Sequence, residues 1–279
     1  MVSIRELHFS YRKKPVFTGL NLELQGGQIY GLLGKNGTGK STLLRNIAGT
    51  LFPKKGRIEA MGYEPGKRLP AFLQRVFLIP EEFNLPAISL GDWVKYNSVF
   101  YPGFSGELFN GFIGDFQVPM DNKLSEMSHG QQKKALISFA LATGASLLLM
   151  DEPTNGLDIH SKSQFRKVMA GVLEEGKCVV ISTHQVKDLE NLIDRVAVID
   201  DGKILFDQAL AAIARAFTFT ISFDPEEAAG AIYSEPSLKG NALLLPNSGQ
   251  EEGQVDLEIL YKAIVQDPLK INHYFPIKK

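Results

Sequence analysis

The chain has 279 residues, enough for one large domain or one domain with a small appendage. Hydrophobic residues make up 44% and charged residues 22%, which predicts a packed core and excludes a disordered chain. Lys plus Arg number 30 against 31 for Asp plus Glu, a formal charge of −1 that excludes the strongly basic footprint of a nucleic-acid binder. The cluster Arg12-Lys13-Lys14 reads as a solvated loop rather than a binding patch. The single cysteine, Cys178, lies in the apolar run Cys178-Val179-Val180-Ile181, so no disulfide can form within the chain and a reducing compartment is expected. Met1 to Glu6 lacks the basic-then-apolar pattern of a secretory signal. No run reaches the roughly 18 apolar residues that a membrane-spanning helix needs. A soluble chain is expected, with any membrane role exercised through a partner.

In chain order, Val2–Ser10 and Leu20–Leu24 read as strands, Gly26-Gly27 as a turn, and Ile29–Leu33 as a buried strand. From Lys40 the period becomes helical, with Leu43, Leu44, Ile47 and Ala48 on one face and Gly49 as the stop. Arg75–Pro80 reads as a further strand. The stretch from Asn84 to about Ala145 reads as a mostly helical insertion, with helices near Ser89–Ser98 and Glu107–Phe116. Strands are expected at Ser146–Asp151, Cys178–Ser182 and Arg195–Asp200, separated by helices at His160–Leu173 and Val186–Leu192. That alternation predicts an α/β fold with a mainly parallel sheet. After about Arg215 the pattern changes to a strand (Phe217–Phe223), a helix (Pro225–Ile232), a strand (Ala242–Leu245), a polar loop (Asn247–Gly253) and a helix (Val255–Val265). Residues 1–215 thus form the main domain and 216–279 a small α+β appendage.

Gly34-Lys35-Asn36-Gly37-Thr38-Gly39-Lys40-Ser41 fits G-x-x-x-x-G-K-[ST] at every fixed position, between a strand and a helix as the motif requires. The glycines let backbone N–H groups of Asn36, Gly37, Thr38 and Gly39 turn inward around a phosphate, and the following helix presents its N-terminus, with Ser41 and Thr42, to the same anion. Lys40 would neutralise phosphate oxygens and Ser41 would ligate Mg²⁺. The second motif is Leu147-Leu148-Leu149-Met150-Asp151-Glu152, an apolar strand ending in two acids. Desolvating carboxylates costs several kcal/mol unless a cation compensates, on the order expected for buried ions. Asp151 would hold Mg²⁺ through water and Glu152 would act as general base on an attacking water. The plainer alternative is that both acids begin a solvated loop.

With these two motifs in place the sequence resembles the ATP-binding subunits of ABC transporters over roughly residues 1–215. The resemblance implies a P-loop NTPase whose mainly parallel sheet carries an N-terminal antiparallel β portion, a helical subdomain over about 84–145 and the appendage. Met127-Ser128-His129-Gly130-Gln131-Gln132 is similar to the family's signature sequence, usually L-S-G-G-Q, so Ser128, Gly130 and Gln131 are implied to close on the γ-phosphate held by a second subunit. His184, after the strand Cys178–Ser182, matches the switch histidine. Asn155-Gly156-Leu157-Asp158 matches the loop that crosses the dimer interface. Tyr11 matches the aromatic residue that stacks on adenine; a buried core tyrosine is the alternative. Two positions depart from the pattern. His129 replaces the first signature glycine, and Glu81 stands where most members have a glutamine that reaches Mg²⁺.

The resemblance implies an ATPase, with Lys40, Glu152 and His184 as catalytic residues and ATP and Mg²⁺ bound. Its partners would be a second ATP-binding subunit and a membrane-spanning subunit, placing it in the cytoplasm at the inner face of the cell membrane. Ile79-Pro80-Glu81, the run from Pro153 to Asp158 and the appendage are most like the exporter-type ABC-2 branch. Trp93, Tyr96, Phe100 and Tyr101 are candidate contacts for the membrane partner, the alternative being that they form the core of their own subdomain. The rival function is a soluble ABC ATPase, for example one in metal-cluster assembly. The short stretch between Lys40 and Ser128 has no room for the long coiled coil of chromosome ATPases, and a single P-loop excludes a two-unit ribosome-acting chain.

Overall fold

A computed structural model describes residues 1–171, 176–247, 249 and 253–276. Side-chain alternation along the strands decides the layers. In the central strands, Ile29, Leu33, Leu148, Met150, Val179 and Ile181 face one core, while Tyr30, Leu32, Leu147, Leu149, Cys178 and Val180 face another. A sheet buried on both faces is the expected home of near-continuous apolar strands. Each buried leucine contributes roughly 1.5–3 kcal/mol to its stability.

The strands are β1 (Val2–Tyr11), β2 (Lys14–Leu24), β3 (Gln28–Leu33), β4 (Lys55–Ala60), β5 (Val76–Ile79), β6 (Leu147–Asp151), β7 (Cys178–Thr183), β8 (Arg195–Asp200) and β9 (Lys203–Ala209). Three more follow in the appendage: β10 (Phe217–Ser222), β11 (Tyr233–Ser237) and β12 (Gly240–Pro246). Order in the main sheet is β5-β6-β7-β3-β8-β9, parallel except for β9. Strands β2-β1-β4 form an antiparallel sheet, and β10-β12-β11 a second one in the appendage.

The helices are α1 (Lys40–Ile47), α2 (Pro70–Leu73), α3 (Leu90–Ser98), α4 (Gly106–Phe116), α5 (His129–Ala142), α6 (Ile159–Ala170), α7 (Leu210–Ala216), α8 (Pro225–Gly230), α9 (Leu257–Gln266) and α10 (Pro268–Asn272). Ser89, Ser105, Ser128 and Asp158 each cap a following helix by accepting a backbone N–H.

The expected mainly parallel sheet, antiparallel N-terminal portion and helical insertion are all present. Several elements differ. The helix expected over Val186–Leu192 is a single 3₁₀ turn, Val186–Leu189, because Asn191 takes a left-handed φ of 61° and the chain turns into β8. Strands β4, β9 and β11 and helices α2, α7 and α10 had no counterpart in the sequence reading. Val172 and Leu173, the expected end of α6, and most of the polar loop 247–253 lie outside the described residues.

Candidate functional site

Register assembles the site. Leu33 pairs with Thr183, and Asp151 with Ser182, so β3, β6 and β7 end side by side. The loop after β3, the acid pair ending β6 and the Thr183-His184 step ending β7 therefore meet at the carboxyl edge of the sheet, where open α/β folds bind ligands.

The loop Gly34–Ser41 curls over the N-terminus of α1. Gly39 has φ 107°, and a Cβ there would stand 2.7 Å from the Phe17 ring, so the loop is keyed to β2. A Cβ on Gly34 would meet the Ile199 carbonyl at 2.6 Å. Lys40 is 6% exposed, and its Nζ donates to the carbonyls of Gly34 (2.7 Å) and Lys35 (3.2 Å). The same ammonium lies 3.5 Å from Glu152 Oε1.

Glu152 is held at every polar atom. Its backbone N–H donates to the Ser182 carbonyl (3.1 Å), and its own carbonyl accepts from Lys133 Nζ (3.1 Å). Oε2 accepts from the Thr183 hydroxyl at 3.0 Å, and Oε1 meets His184 Nδ1 at 2.9 Å. The residue has φ 47°, a left-handed conformation costing about 1–3 kcal/mol for a side chain of this size. Strain of this kind persists only where surrounding contacts over-determine it, and these contacts do. Asp151, 2% exposed, accepts from Ser182 Oγ at 2.6 Å.

Lys133, Ser182, Thr183 and Phe83 were not singled out from sequence. Lys133 is 1% exposed on the inner face of α5 and also donates to the Asn155 carbonyl at 2.8 Å. Burial lowers its pKa, with the charges of Glu81, Glu152 and Asp151 pulling the other way. A lysine among the apolar positions of a helix was the available signal. Phe83 stacks on His129, with centroids 5.0 Å apart and planes 14° from parallel. The bulk that replaces the expected glycine thus has a packing partner from the segment after β5. Glu81 Oε1 accepts from Asn155 Nδ2 at 3.0 Å, joining that segment to the loop after the acid pair.

A cleft of about 670 Å³ is lined by Tyr11, Asn36, Gly37, Thr38, Gly39, Lys40, Ser41, Thr42, Glu81 and Glu152, together with Lys14 and Asp200 to Gly202. Tyr11 is 45% exposed at its mouth, edge-on to Phe9, with its hydroxyl 3.4 Å from Thr42 Oγ1, so it is not a core residue. Lys14, from the cluster read as a solvated loop, contributes to this cleft. His184 reaches the site through Glu152, whereas Ser128, Gly130 and Gln131 do not line the cleft. They sit at the N-terminus of α5, where Ser128 Oγ accepts from Gln131 N–H and Gln131 Oε1 accepts from Ser128 N–H. This capping box leaves the Ser128 hydroxyl proton available.

Chemically, the arrangement joins an anion cradle to a fixed carboxylate and a buried cation. Ser41, Asp151 and Glu81 are hard oxygen donors of the kind Mg²⁺ takes. Among the described residues no group of three or more His, Cys, Asp or Glu side chains could hold a metal ion by itself. No helix among these residues is long and apolar enough to cross a membrane.

The sequence matches the family described as ABC transporter over residues 17–155. It is 29% identical over 219 residues to the Nod factor export ATP-binding protein I of Burkholderia orbicola (strain AU 1054), covering 76% of this chain and 72% of that protein. It is also 29% identical over 212 residues to the linearmycin resistance ATP-binding protein LnrL of Bacillus subtilis (strain 168), covering 74% and 68%. Among solved structures, an ATP-binding subunit of an ABC transporter superposes with a TM-score of 0.70 at 23% identity, covering 77% of this chain and 92% of that one. The ATP-binding cassette MJ0796, solved as a dimer bound to ADP and Pi, superposes with a TM-score of 0.66 at 23% identity, covering 75% and 98%.

Proposed function

We infer, from the ABC transporter ATP-binding domain that this chain carries, that it binds and hydrolyses ATP as the nucleotide-binding subunit of an exporter. The observation that carries this reading is Glu152, clamped at every polar atom beside the phosphate loop and in contact with both Lys40 and His184. Phosphate oxygens compete with the Gly34 and Lys35 carbonyls for the Lys40 ammonium and draw it from Glu152. The carboxylate then accepts the proton of a water that attacks the γ-phosphorus. The bond to the β–γ bridging oxygen breaks, giving ADP and phosphate. His184, on Glu152 Oε1, orients that carboxylate and reports on the γ-phosphate. Ser41, Asp151 and Glu81 would hold Mg²⁺, which supplies positive charge to the phosphate oxygens when bound.

Because Ser128, Gly130 and Gln131 lie outside their own cleft, they are available to the ATP of a second ATP-binding subunit. Two subunits would then enclose two ATP molecules, as the relatives solved as dimers suggest. The membrane-spanning partner is assigned to the helical insertion. Between that insertion and the segment from α1 to β5, a groove of about 510 Å³ is lined by Arg68, Phe77, Trp93, Phe100, Tyr101 and Phe139, among others. Closure of the subunit pair would move this groove and the partner seated in it.

ATP hydrolysis by the purified chain and its Glu152→Gln variant tests the reading. Glu152→Gln should lose roughly 100-fold or more in rate, the lower bound for removing a general base, while retaining ATP and forming an ATP-dependent dimer. Hydrolysis at the unmodified rate would remove Glu152 from this role.

A further inference from the structure

The appendage reaches the phosphate loop. Helix α9 packs against β8, β9 and the 3₁₀ turn Val186–Leu189 that follows His184. Tyr261, at its centre, closes a cavity of about 240 Å³ whose other walls include Gly34, Lys35, Asn36, Thr183 and His184. One side chain from the appendage thus backs both the first half of the phosphate loop and the segment bearing the switch histidine. The Tyr261 hydroxyl is buried and makes no hydrogen bond of ordinary geometry among the described residues. Lys35 lines the same cavity, and its backbone N–H has no hydrogen-bond partner among the described residues. Burial and the nearby Asp200 carboxylate raise the hydroxyl's pKa, so it stays neutral, and the Lys35 N–H opposes them.

The seat of α9 is built independently of this contact. Lys262 Nζ lies 2.8 Å from Glu235 and 3.0 Å from Glu258, and Lys187 lies 3.1 Å from Glu258. Leu257, Leu260 and Ile264 are buried beneath the helix. The helix is therefore anchored without the hydroxyl, which leaves an uncommitted polar atom beside the loop.

We propose that Tyr261 is a positioning residue of the ATP site, its hydroxyl accepting the Lys35 N–H when ATP draws Lys40 away from the Gly34 and Lys35 carbonyls. Lys40 braces these two peptides from the cleft side, and a phosphate that captures its ammonium removes that brace. Tyr261 supplies a second brace from behind, so ATP affinity depends on its hydroxyl. By linkage, ATP in turn favours the contact between Tyr261 and Lys35. This rests on the proposed ATP-binding function.

The test measures ATP affinity, KM and kcat for the full chain, for Tyr261→Phe and for Lys262→Met, together with hydrogen exchange at the Lys35 amide with and without a slowly hydrolysed ATP analogue. Tyr261→Phe keeps the ring and should weaken ATP binding and raise KM by about fivefold, the lower end of allosteric coupling, with kcat nearly unchanged. ATP-dependent protection of the Lys35 amide should be present in the unmodified chain and lost in Tyr261→Phe. Lys262→Met loosens the ion pairs of the same helix and should leave affinity unchanged. Unaltered affinity and Lys35 protection in Tyr261→Phe would overturn this inference while leaving the ATPase reading intact. An equal loss in Lys262→Met would overturn it by showing only general loosening. Failure of the unmodified chain to bind ATP would overturn both.

Discussion

Glu152 joins a left-handed backbone to the carboxylate proposed as general base. Its left-handed backbone is held by Ser182 and Lys133, and its carboxylate by Thr183 and His184. Glu81, proposed as a Mg²⁺ donor in the cleft, also accepts from Asn155, whose carbonyl is in turn fixed by Lys133. An amide oxygen can accept the same bond, so Glu81→Gln should retain most ATPase activity. Glu81→Ala should lose roughly tenfold, the effect of removing a charge-assisted bond of about 1.5 kcal/mol. Steady-state hydrolysis by the two variants checks this, and equal near-normal rates would remove Glu81 from the site. Local spacing let Lys40, Ser41, Asp151 and Glu152 be proposed from the sequence, since each stands in a contiguous motif. The clamps are not contiguous. Lys133 joins Glu152 across 19 positions, and Phe83, just before the insertion, meets His129 within it.

Among the elements, α3 carries the most direct consequence for partner binding. The sequence left Trp93, Tyr96, Phe100 and Tyr101 open between core and contact. The structure divides them. Trp93 lies edge-on to Phe139 at 4.8 Å and Tyr101 sits 5.6 Å from Phe77, whereas Tyr96 and Phe100 are 60% and 65% exposed. Phe100→Asp should therefore leave folding and basal ATP hydrolysis intact and abolish association with the proposed membrane subunit, measured by co-purification in mild detergent. Retained association would move the contact elsewhere. The long apolar strands and capped helices were legible because their periods are strong. Strand β4 was not, since its KGRIEA buries only Ile58 and Ala60. Strand β9 was missed despite a usable signal. Asp201-Gly202 forms a two-residue turn with both φ positive, the known preference for an Asp-Gly hairpin.

At the scale of the whole molecule, one sheet serves three neighbours. Its carboxyl edge faces the ATP cleft, one face packs with the antiparallel N-terminal strands that bring Tyr11 to the cleft, and the other packs with the helical insertion and the appendage. Strands β10 to β12 form a sheet of their own, but the approach of α9 to the phosphate loop had no local pattern in the sequence. The contact between Tyr261 and Lys35 spans most of the chain and leaves no local pattern. The same holds for the groove proposed for a membrane partner, whose lining is drawn from residues 48 to 139. The central claim, that ATP turnover here drives a membrane-spanning partner, is tested most directly by tagging the chain in its host and identifying what co-purifies from membranes in mild detergent. The account predicts a polytopic membrane protein in a stable ratio to this chain, and a soluble complex with no membrane protein would contradict it.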